Sequence, residues 1–330
     1  MGLRTRTLLG LAVLLALVAG CVQQQVTPTP PAVTLLSGDA LAPVDPALVT
    51  GLLEITGSST VYPLTARMVE DFNAEGSRSQ IDVKVTGTGG GFRSFCSGDP
   101  IEIVNASRPI NEKELEACRA VGREPVGFQV GVDALAVVVN RQNTFVESLS
   151  FADLLQIFSG RYRAWNEVNP AYPAEPIKIF SPGVDSGTFD FFVEKVLGGD
   201  KLLLPAIPGV VLSEDDVELM LGIENNLYAI GYFGYSYYIR DQERLRALAI
   251  DAGNGPVAPT PETVSNGTYP LTRPLFIYTD RQTLQTNLAA AAFISYYLQH
   301  AHEVIREVGY FPVSDTVAGD AQKTLVAALR

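Results

Sequence analysis

Small hydroxyl-bearing residues and glycines follow apolar stretches at four places in this 330-residue sequence. The four segments are residues 58–60, 87–91, 105–108 and 186–188. Hydroxyl groups, a guanidinium and the backbone amides of glycine-rich turns all donate hydrogen bonds. Four such segments predict a site that binds an anion through local hydrogen bonds.

The first segment joins a predicted strand to a predicted helix. Residues 52–57 are mostly apolar, and apolar residues recur at helical spacing from Val61 to Phe72, with Pro63 suited to the first turn. Ser58, Ser59 and Thr60 therefore precede a helix N-terminus, where free N–H groups and the helix dipole favour an anion. Plain N-capping is the alternative, although it needs only one hydroxyl.

The second segment is a glycine cluster after a strand-like alternation over residues 81–85. Glycine lets backbone amides approach a ligand with no side chain in the way. The segment is not a phosphate-binding P-loop because no Gly-Lys-Ser/Thr follows it. A hairpin-like turn is the alternative.

The last two segments also lie between a strand and a helix. Residues 101–104 and 177–180 read as short apolar strands, and Asn111 with Glu114 predicts a capping box at the helix after Arg108. A guanidinium suits bidentate contact with an oxyanion, although Arg108 could also be an ordinary surface arginine. Because ligands of open α/β sheets bind at the carboxyl ends of strands, we expect the four segments to converge.

The N-terminus is typical of an exported protein. Arg4 and Arg6 precede an apolar run over residues 8–20, which is too short to span a bilayer and fits a signal peptide at residues 1–20. The run ends in "LVAGC", which looks like a bacterial lipobox and predicts cleavage before Cys21 and lipidation of its thiol. An ordinary signal peptide with a chance cysteine is the alternative. Residues 21–50 read as the lipidated cysteine and a flexible linker.

The net charge argues against one class of partner, and the cysteine content predicts a covalent cross-link. Without residues 1–20 the chain has 22 basic and 36 acidic residues, about −14 in net charge, which argues against nucleic acid as a partner. Cys96 and Cys118 then form an even pair in an exported chain and predict a disulfide. Two free buried thiols remain the alternative.

Six sequence motifs carry a resemblance to a known family. "GSSTVYP", "GTGGGF", "NASRPI" and "DSGTFD", followed by "YFGYSYY" and "GTYPLTRPLFIY", stand in the order found in the phosphate-binding component of bacterial ABC phosphate transporters, and the chain resembles that family over residues 52–313. The resemblance implies an α/β type II periplasmic-binding-protein fold, with two lobes joined by two crossover strands near residues 131–134 and 269–274. Lobe one would comprise residues 51–132 and 269–330, and lobe two residues 133–268, with the ligand cleft between them.

The resemblance also implies a set of ligand-binding residues. By motif they are Ser59, Thr60, the Val61 amide, Thr88, Arg108, Asp185, Ser186, Gly187 and Thr188. The chain departs from the best-known branch of the family, which has an aspartate at the position of Arg108 and an arginine shortly before its Ser-Gly-Thr. A carboxylate would accept the proton that phosphate carries and repel sulfate, which has none. We expect Asp185 either to be this acceptor or to cap the following helix.

These observations predict a lipid-anchored, monomeric solute-binding protein outside the cytoplasm that captures inorganic phosphate and delivers it to ABC permease subunits. We expect no cofactor and no metal. The alternatives are binding of sulfate, molybdate or arsenate, sensing without transport, and a secreted phosphatase. Catalysis is disfavoured because His300 and His302 lie two residues apart, on different faces of a helix. The tyrosine-rich residues 228–240 predict a buried strand and helix rather than a stacking surface.

Overall fold

The computed structural model describes residues 33–184, 186–213 and 215–330, together with Gly2. The predicted signal peptide, the predicted lipidation site Cys21 and Asp185 lie outside these residues, apart from Gly2. Within the described residues, no helix is both long and apolar enough to cross a membrane.

The chain alternates strands and helices. The strands are β1 Leu36–Ser37, β2 Ala40–Leu41, β3 Leu52–Gly57, β4 Gln80–Val85, β5 Ile103–Ala106, β6 Pro125–Asn140, β7 Ser148–Ser150, β8 Lys178–Pro182, β9 Val211–Ser213, β10 Ala229–Gly234, β11 Leu245–Ala247, β12 Ala249–Asp251, β13 Pro256–Val257 and β14 Thr272–Asp280. The helices are α1 Tyr62–Ala74, α2 Thr88–Phe95, α3 Glu112–Ala120, α4 Phe151–Phe158, α5 Trp165–Val168, α6 Gly187–Val196, α7 Asp216–Glu224, α8 Tyr235–Arg240, α9 Pro261–Ser265, α10 Arg281–Thr286, α11 Leu288–Val304 and α12 Asp315–Leu329, with a short 3-10 helix at Pro46–Leu48.

One long sheet organises the molecule. Its strand order is β4-β3-β5-β14-β6-β10-β8-β9, with β11 also paired to β6. At one end β3 lies parallel to β4 and β5, and at the other β8 lies parallel to β9 and β10. Strand β6 pairs antiparallel with β14 along one half and with β10 and β11 along the other, so β6 and β14 connect the two groups of parallel strands.

Two large apolar cores pack on this sheet. One contains Leu53, Phe72 and Phe293, and the other contains Val138, Phe192 and Tyr232. A smaller cluster around Phe92 and Phe95 packs beside the first. The alternating strands and helices and the two cores confirm the predicted α/β class.

The segments between strands and helices occupy the predicted places, with two differences. The glycine cluster forms the first turns of α2 rather than an open turn. A Cβ on Gly91 would lie 2.8 Å from the Cα of Gly57, so the absence of a side chain at Gly91 lets α2 pack closely on β3. Asn105 lies inside β5, where its Oδ1 accepts a hydrogen bond from Thr65 Oγ1 at 2.9 Å. Asn105 is thus a structural residue. The capping box of Asn111 and Glu114 is confirmed at α3.

Residues 33–50 are folded, contrary to the expectation of a flexible linker that reaches residue 50. Ala42 and Val49 are buried, and the backbone carbonyls of both accept hydrogen bonds, from Gln299 Nε2 at 3.1 Å and from Arg78 N at 3.1 Å. Val33 and Leu35 pack against the first large core. Residues 33–50 therefore belong to the unit Val33–Arg330.

The cysteine and tyrosine predictions are confirmed. Cys96 and Cys118 form a disulfide that ties the C-terminal end of α2 to α3. In the tyrosine-rich segment, Tyr232 of β10 and Tyr235 of α8 are buried, and Tyr232 stacks on Phe192 at 3.8 Å between ring centroids. Tyr237 is an exception, because it is 40% exposed.

Candidate functional site

The predicted segments line two adjoining cavities. A cavity of about 320 Å³ is lined by Ser58, Ser59, Thr60, Gly87, Thr88, Gly89, Ser107, Arg108, Asp190, Phe191, Glu194 and Arg273. The second, of about 290 Å³, is lined by Ser59, Thr60, Pro63, Asp133, Ser186, Gly187, Thr188, Asp216, Gly234, Ser236, Tyr237, Arg273, Val308, Gly309 and Tyr310. Ser59, Thr60 and Arg273 belong to both, so the ends of β3, β4, β5 and β8 meet at one place.

Cavity volume alone does not identify the candidate site. Two surface depressions of about 500 Å³ each are larger, one near Arg119 and Arg123 and one near Val33 and Leu284. Neither contains residues from the four hydroxyl- and glycine-rich segments. The convergence of hydrogen-bond donors, rather than volume, identifies the candidate site.

Helices α1 and α2 start at the cavities without a side-chain cap. Among the described helices of eight or more residues, these two alone have no side-chain hydrogen bond at the N-cap position. Their N-cap residues are Val61 and Gly87. The first N–H groups of a helix have no partner within the helix. The N-terminus of α2 offers such donors to a ligand, whereas at α1 the Tyr62 amide already donates to the Ser58 carbonyl at 3.1 Å and Pro63 has no N–H. Val61 itself is buried.

The first turn of α6 lies against the start of α1. A Cβ built on Gly187 would lie 2.7 Å from Thr60 Oγ1 and 2.9 Å from Ser59 Oγ. Only glycine leaves room for this approach. Ser186 caps α6, because the Thr188 amide donates to Ser186 Oγ at 3.1 Å, and the Ser186 hydroxyl proton stays available for another acceptor.

Thr88 is fixed by the neighbouring strand end. Its Oγ1 accepts a hydrogen bond from the Ser107 amide at 3.1 Å and lies 3.1 Å from Ser107 Oγ. Ser107 was not among the predicted ligand-binding residues, yet it lines the same cavity. The two hydroxyls hold the start of α2 against the end of β5.

Arg108 lines the first cavity but is paired with Glu114. Arg108 Nη2 lies 2.8 Å from Glu114 Oε1, and Nη1 donates to Glu114 Oε2 at 2.9 Å and to the Pro109 carbonyl at 3.1 Å. The hydrogen bond to Glu114 raises the pKa of Arg108. Burial opposes ionisation of Glu114, but its bonds to Arg108 and to the Asn111 amide hold the pKa of Glu114 below its usual value. Much of the Arg108 fork is thus occupied by protein acceptors.

A second arginine lies deeper in the site, and sequence reasoning missed it. Arg273 on β14 stands directly opposite Asp133 on β6. Arg273 Nε donates to Asp133 Oδ2 at 2.9 Å, and Nη2 lies 2.9 Å from the same oxygen and 3.0 Å from the Gly187 carbonyl. Burial raises the pKa of Asp133, and the guanidinium opposes that shift.

The sequence did contain a signal for this pair. Asp133 is the one charged residue in residues 125–139, and Arg273 is the one charged residue in residues 263–279. Charged residues are almost never fully buried unless they are paired. Two isolated charges of opposite sign in the predicted crossover segments could therefore have indicated a buried ion pair.

The segment after α11 also reaches the second cavity. Tyr310 Oη donates to the Thr60 carbonyl at 2.6 Å, and burial raises the pKa of Tyr310. Tyr237 of α8 lines the same cavity. Both tyrosines enclose the start of α1, and neither was predicted to contribute to the site.

The chain has recognisable relatives. Residues 30–300 match the model of the PBP superfamily domain. Protein SphX of Synechocystis sp. is 40% identical over 277 residues, which cover 82% of this chain and 81% of SphX. The phosphate-binding protein PstS of Staphylococcus saprophyticus is 33% identical over 258 residues, which cover 77% of this chain and 78% of PstS. This chain belongs to the bacterial phosphate-binding protein family.

The solved structure of a possible phosphate binding protein from Planctomyces limnophilus supports this membership. It is 37% identical, covers 86% of this chain and 100% of its own, and superposes with a TM-score of 0.80. The phosphate-binding protein family has the periplasmic-binding-protein fold, and its members are extracytoplasmic transport receptors rather than enzymes. The predicted family, the fold class and the absence of an enzymatic role are confirmed.

Proposed function

We propose that this protein captures inorganic phosphate in the cleft and delivers it to an ABC importer. The observation that carries the proposal is the convergence of two uncapped helix N-termini, those of α1 and α2, with the Ser59, Thr60 and Thr88 hydroxyls. Membership in the phosphate-binding protein family supports the choice of ligand.

The binding chemistry consists of short-range hydrogen bonds. The hydroxyls of Ser59, Thr60 and Thr88, the Val61 amide, Ser186 with the first turn of α6 at Gly187 and Thr188, and Arg108 donate to the phosphate oxygens. Without residues 1–20 the net charge of about −14 repels anions at long range, so desolvation and local donors must supply the affinity. Asp185, which was expected either to accept the phosphate proton or to cap α6, lies outside the described residues, and the N-cap of α6 is Ser186.

Two lobes close on the ligand in this proposal. Lobe one comprises residues 51–132 and 269–330, lobe two comprises residues 133–268, and β6 and β14 cross between them. The separate apolar cores on the two halves of the sheet support this division. Closure of hinged lobes removes the anion from water.

Export and anchoring complete the proposal. Residues 1–20 act as the signal peptide, and lipid on Cys21 tethers a monomer at the membrane, where it meets the permease subunits. The last part of the predicted linker over residues 21–50, from Val33 onwards, belongs to the folded unit Val33–Arg330. Cys21→Ser should release the protein from the membrane fraction of an expressing bacterium, and unchanged membrane association of this variant would contradict the lipid anchor.

Isothermal titration tests the ligand. The chain without residues 1–21, dialysed free of phosphate, should bind phosphate one-to-one and give no heat with sulfate. Replacing Ser59 and Thr60 by Ala and Val should weaken phosphate binding at least tenfold, because each lost donor to a charged group is worth about 1.5–3 kcal/mol. Absence of phosphate binding would overturn the proposal, and equal binding of sulfate, molybdate or arsenate would replace phosphate with a broader class of oxyanions.

A further inference from the structure

We propose that Arg273 and Asp133 are the charged, specificity-determining pair of the phosphate site, with Arg273 as the cation that contacts the anion and Asp133 as the acceptor of the phosphate proton. This inference rests on the proposed phosphate function. It gives Arg273 on β14 and Asp133 on β6 a ligand-binding role, although neither residue belongs to the predicted ligand-binding set.

The position of Arg273 carries the first half of the proposal. Arg273 is one of three residues that line both cavities, together with Ser59 and Thr60. Its guanidinium carbon lies 4.4 Å from the centre of the Phe191 ring, and Nη2 donates to the Gly187 carbonyl at 3.0 Å. The guanidinium is thus fixed beside the place where α6 approaches Ser59 and Thr60.

The hydrogen bonds of Arg273 are incomplete within the protein. Nε and Nη2 are held by Asp133 and Gly187, whereas Nη1 has no acceptor among the residues that the structure describes. The arginine side chain is 6% exposed. Free N–H groups beside a polar cavity, on an arginine whose side chain is mostly buried, are suited to an oxyanion.

Asp133 is placed to complete the recognition. Both close contacts from Arg273 end on Oδ2, which leaves Oδ1 outside the ion pair, while the Ala134 amide also hydrogen-bonds to the carboxylate. Asp133 lines the second cavity beside Thr60 and Gly187. A buried carboxylate oxygen accepts the proton of phosphate but faces only lone pairs on sulfate. Asp133 would therefore reject the unprotonated anion.

The other charged residues of the cavities are less suited to these roles. Asp190 lies 2.6 Å from Lys201 Nζ, and Arg108 is held by Glu114. The negative charge of Glu194 adds to the effect of Glu114 in raising the pKa of Arg108. Of these charged residues, all within the described part of the chain, Arg273 and Asp133 join a buried cation to a buried carboxylate beside the start of α1.

The test compares phosphate and sulfate titrations of Asp133→Asn with those of the wild-type chain. The amide keeps the size of the side chain and an acceptor for Arg273, but its NH₂ group cannot accept the phosphate proton. We expect phosphate affinity to fall at least tenfold and the ratio of phosphate to sulfate affinity to fall at least a hundredfold. If Asp133 had a purely structural role, the substitution would weaken the binding of phosphate and of sulfate by the same factor.

The matched control is Asp280→Asn. Asp280 is also a buried aspartate on β14, lies 3.4 Å from Arg123 and caps α10, but it lines neither cavity. It should leave both anion titrations unchanged. Thermal unfolding of each variant shows whether a changed titration comes from a folded protein.

A neutral pair tests Arg273. The double variant Arg273→Gln/Asp133→Asn replaces the ion pair by two amides and avoids leaving one buried charge alone. It should lose at least a hundredfold in phosphate affinity while its far-ultraviolet circular dichroism stays that of the wild type. Wild-type phosphate affinity in this folded variant would overturn the role of Arg273.

The outcomes separate the two proposals. A wild-type chain that binds no phosphate refutes the proposed function itself. A wild-type chain that binds phosphate and sulfate equally refutes the acceptor role of Asp133 without any variant. A selective wild type whose phosphate-to-sulfate ratio is changed by Asp185→Asn but not by Asp133→Asn places the acceptor at Asp185 instead.

Discussion

Two arginine–carboxylate pairs lie at the candidate site and differ in burial. The outer pair, Arg108 and Glu114, has side chains 32% and 14% exposed, whereas those of the inner pair, Arg273 and Asp133, are both 6% exposed. The outer pair connects one loop to the capping box of the next helix, at a separation of six residues along the chain. The inner pair connects two strands that are 140 residues apart in sequence.

The two arginines therefore differ in how many hydrogen-bond donors remain available to an anion. Glu114 occupies two nitrogens of Arg108 and the Pro109 carbonyl occupies a further donor, so Arg108 would have to exchange protein acceptors for the anion. Arg273 keeps its remaining nitrogen free within the described structure while Asp133 holds its orientation. An arginine that is fixed and still has free donors is better preorganised for binding.

The largest expected effect is a difference in the free energy of unfolding between variants of the inner and the outer pair. Arg273→Met leaves Asp133 buried without its cation, and loss of one partner of a buried pair costs about 3–5 kcal/mol. The free energy of unfolding in urea, measured without phosphate, should fall by that amount. Arg108→Met should cost about 1 kcal/mol or less, since the outer pair is partly exposed to water.

Double substitution provides the control for this prediction. Arg273→Met with Asp133→Leu removes both charges and should recover most of the lost stability, because a buried ion pair is often replaceable by apolar residues. If Arg273→Met and Arg108→Met destabilise the protein equally, the contrast between an inner and an outer pair is wrong.

Neither pair was predicted from the sequence, but local patterns contain more information about the outer pair than about the inner one. Arg108 follows a strand, and the Asn111–Glu114 capping box lies within the next six residues, so local rules place both partners. Asp133 and Arg273 meet only because β6 pairs with β14 in one particular register. Such a register depends on the packing of the whole sheet, which no local pattern specifies.

Local patterns also predicted the convergence of strand ends but misjudged some details. The helical spacing after Thr60 gave α1, and the glycine cluster proved to be the start of α2 because tertiary packing against Gly57 overrides the poor helix propensity of glycine. The proline- and threonine-rich composition indicated a linker, yet Ala42 and Val49 pack on the folded body. Composition does not reveal an apolar surface elsewhere in the chain that can bury such a segment.

A smaller effect tests whether the inner pair lies where the two proposed lobes would close. Gly187 accepts the hydrogen bond from Arg273, and a Cβ there would overlap Thr60 Oγ1 at 2.7 Å. Gly187→Ala should therefore weaken phosphate binding by about 1–3 kcal/mol, about tenfold or more, as overpacking generally does. Isothermal titration measures the loss.

The control glycine for this substitution is in α12. A Cβ on Gly319 meets nothing within 4 Å, so Gly319→Ala should leave phosphate affinity unchanged. If Gly187→Ala binds phosphate like the wild type, the close approach of α6 to Thr60 does not belong to the ligand-bound state.

The smallest expected effect concerns the outer pair and pH. The pKa of Glu114 is lower in the folded protein than its usual value, so ionised Glu114 stabilises the fold above the unfolded-state pKa, and this contribution disappears as the pH falls through the folded-state pKa. Glu114→Gln should cost about 1 kcal/mol or less at pH 7. The difference from the wild type should shrink below about pH 4, where carboxyl groups become protonated. Urea unfolding at a series of pH values, with the exposed Glu116→Gln on the same helix as the control, gives both curves. A difference that persists unchanged at about pH 2.5, below the usual range for glutamate, would mean that Glu114 acts through packing, and the outer pair would then owe nothing to its charge.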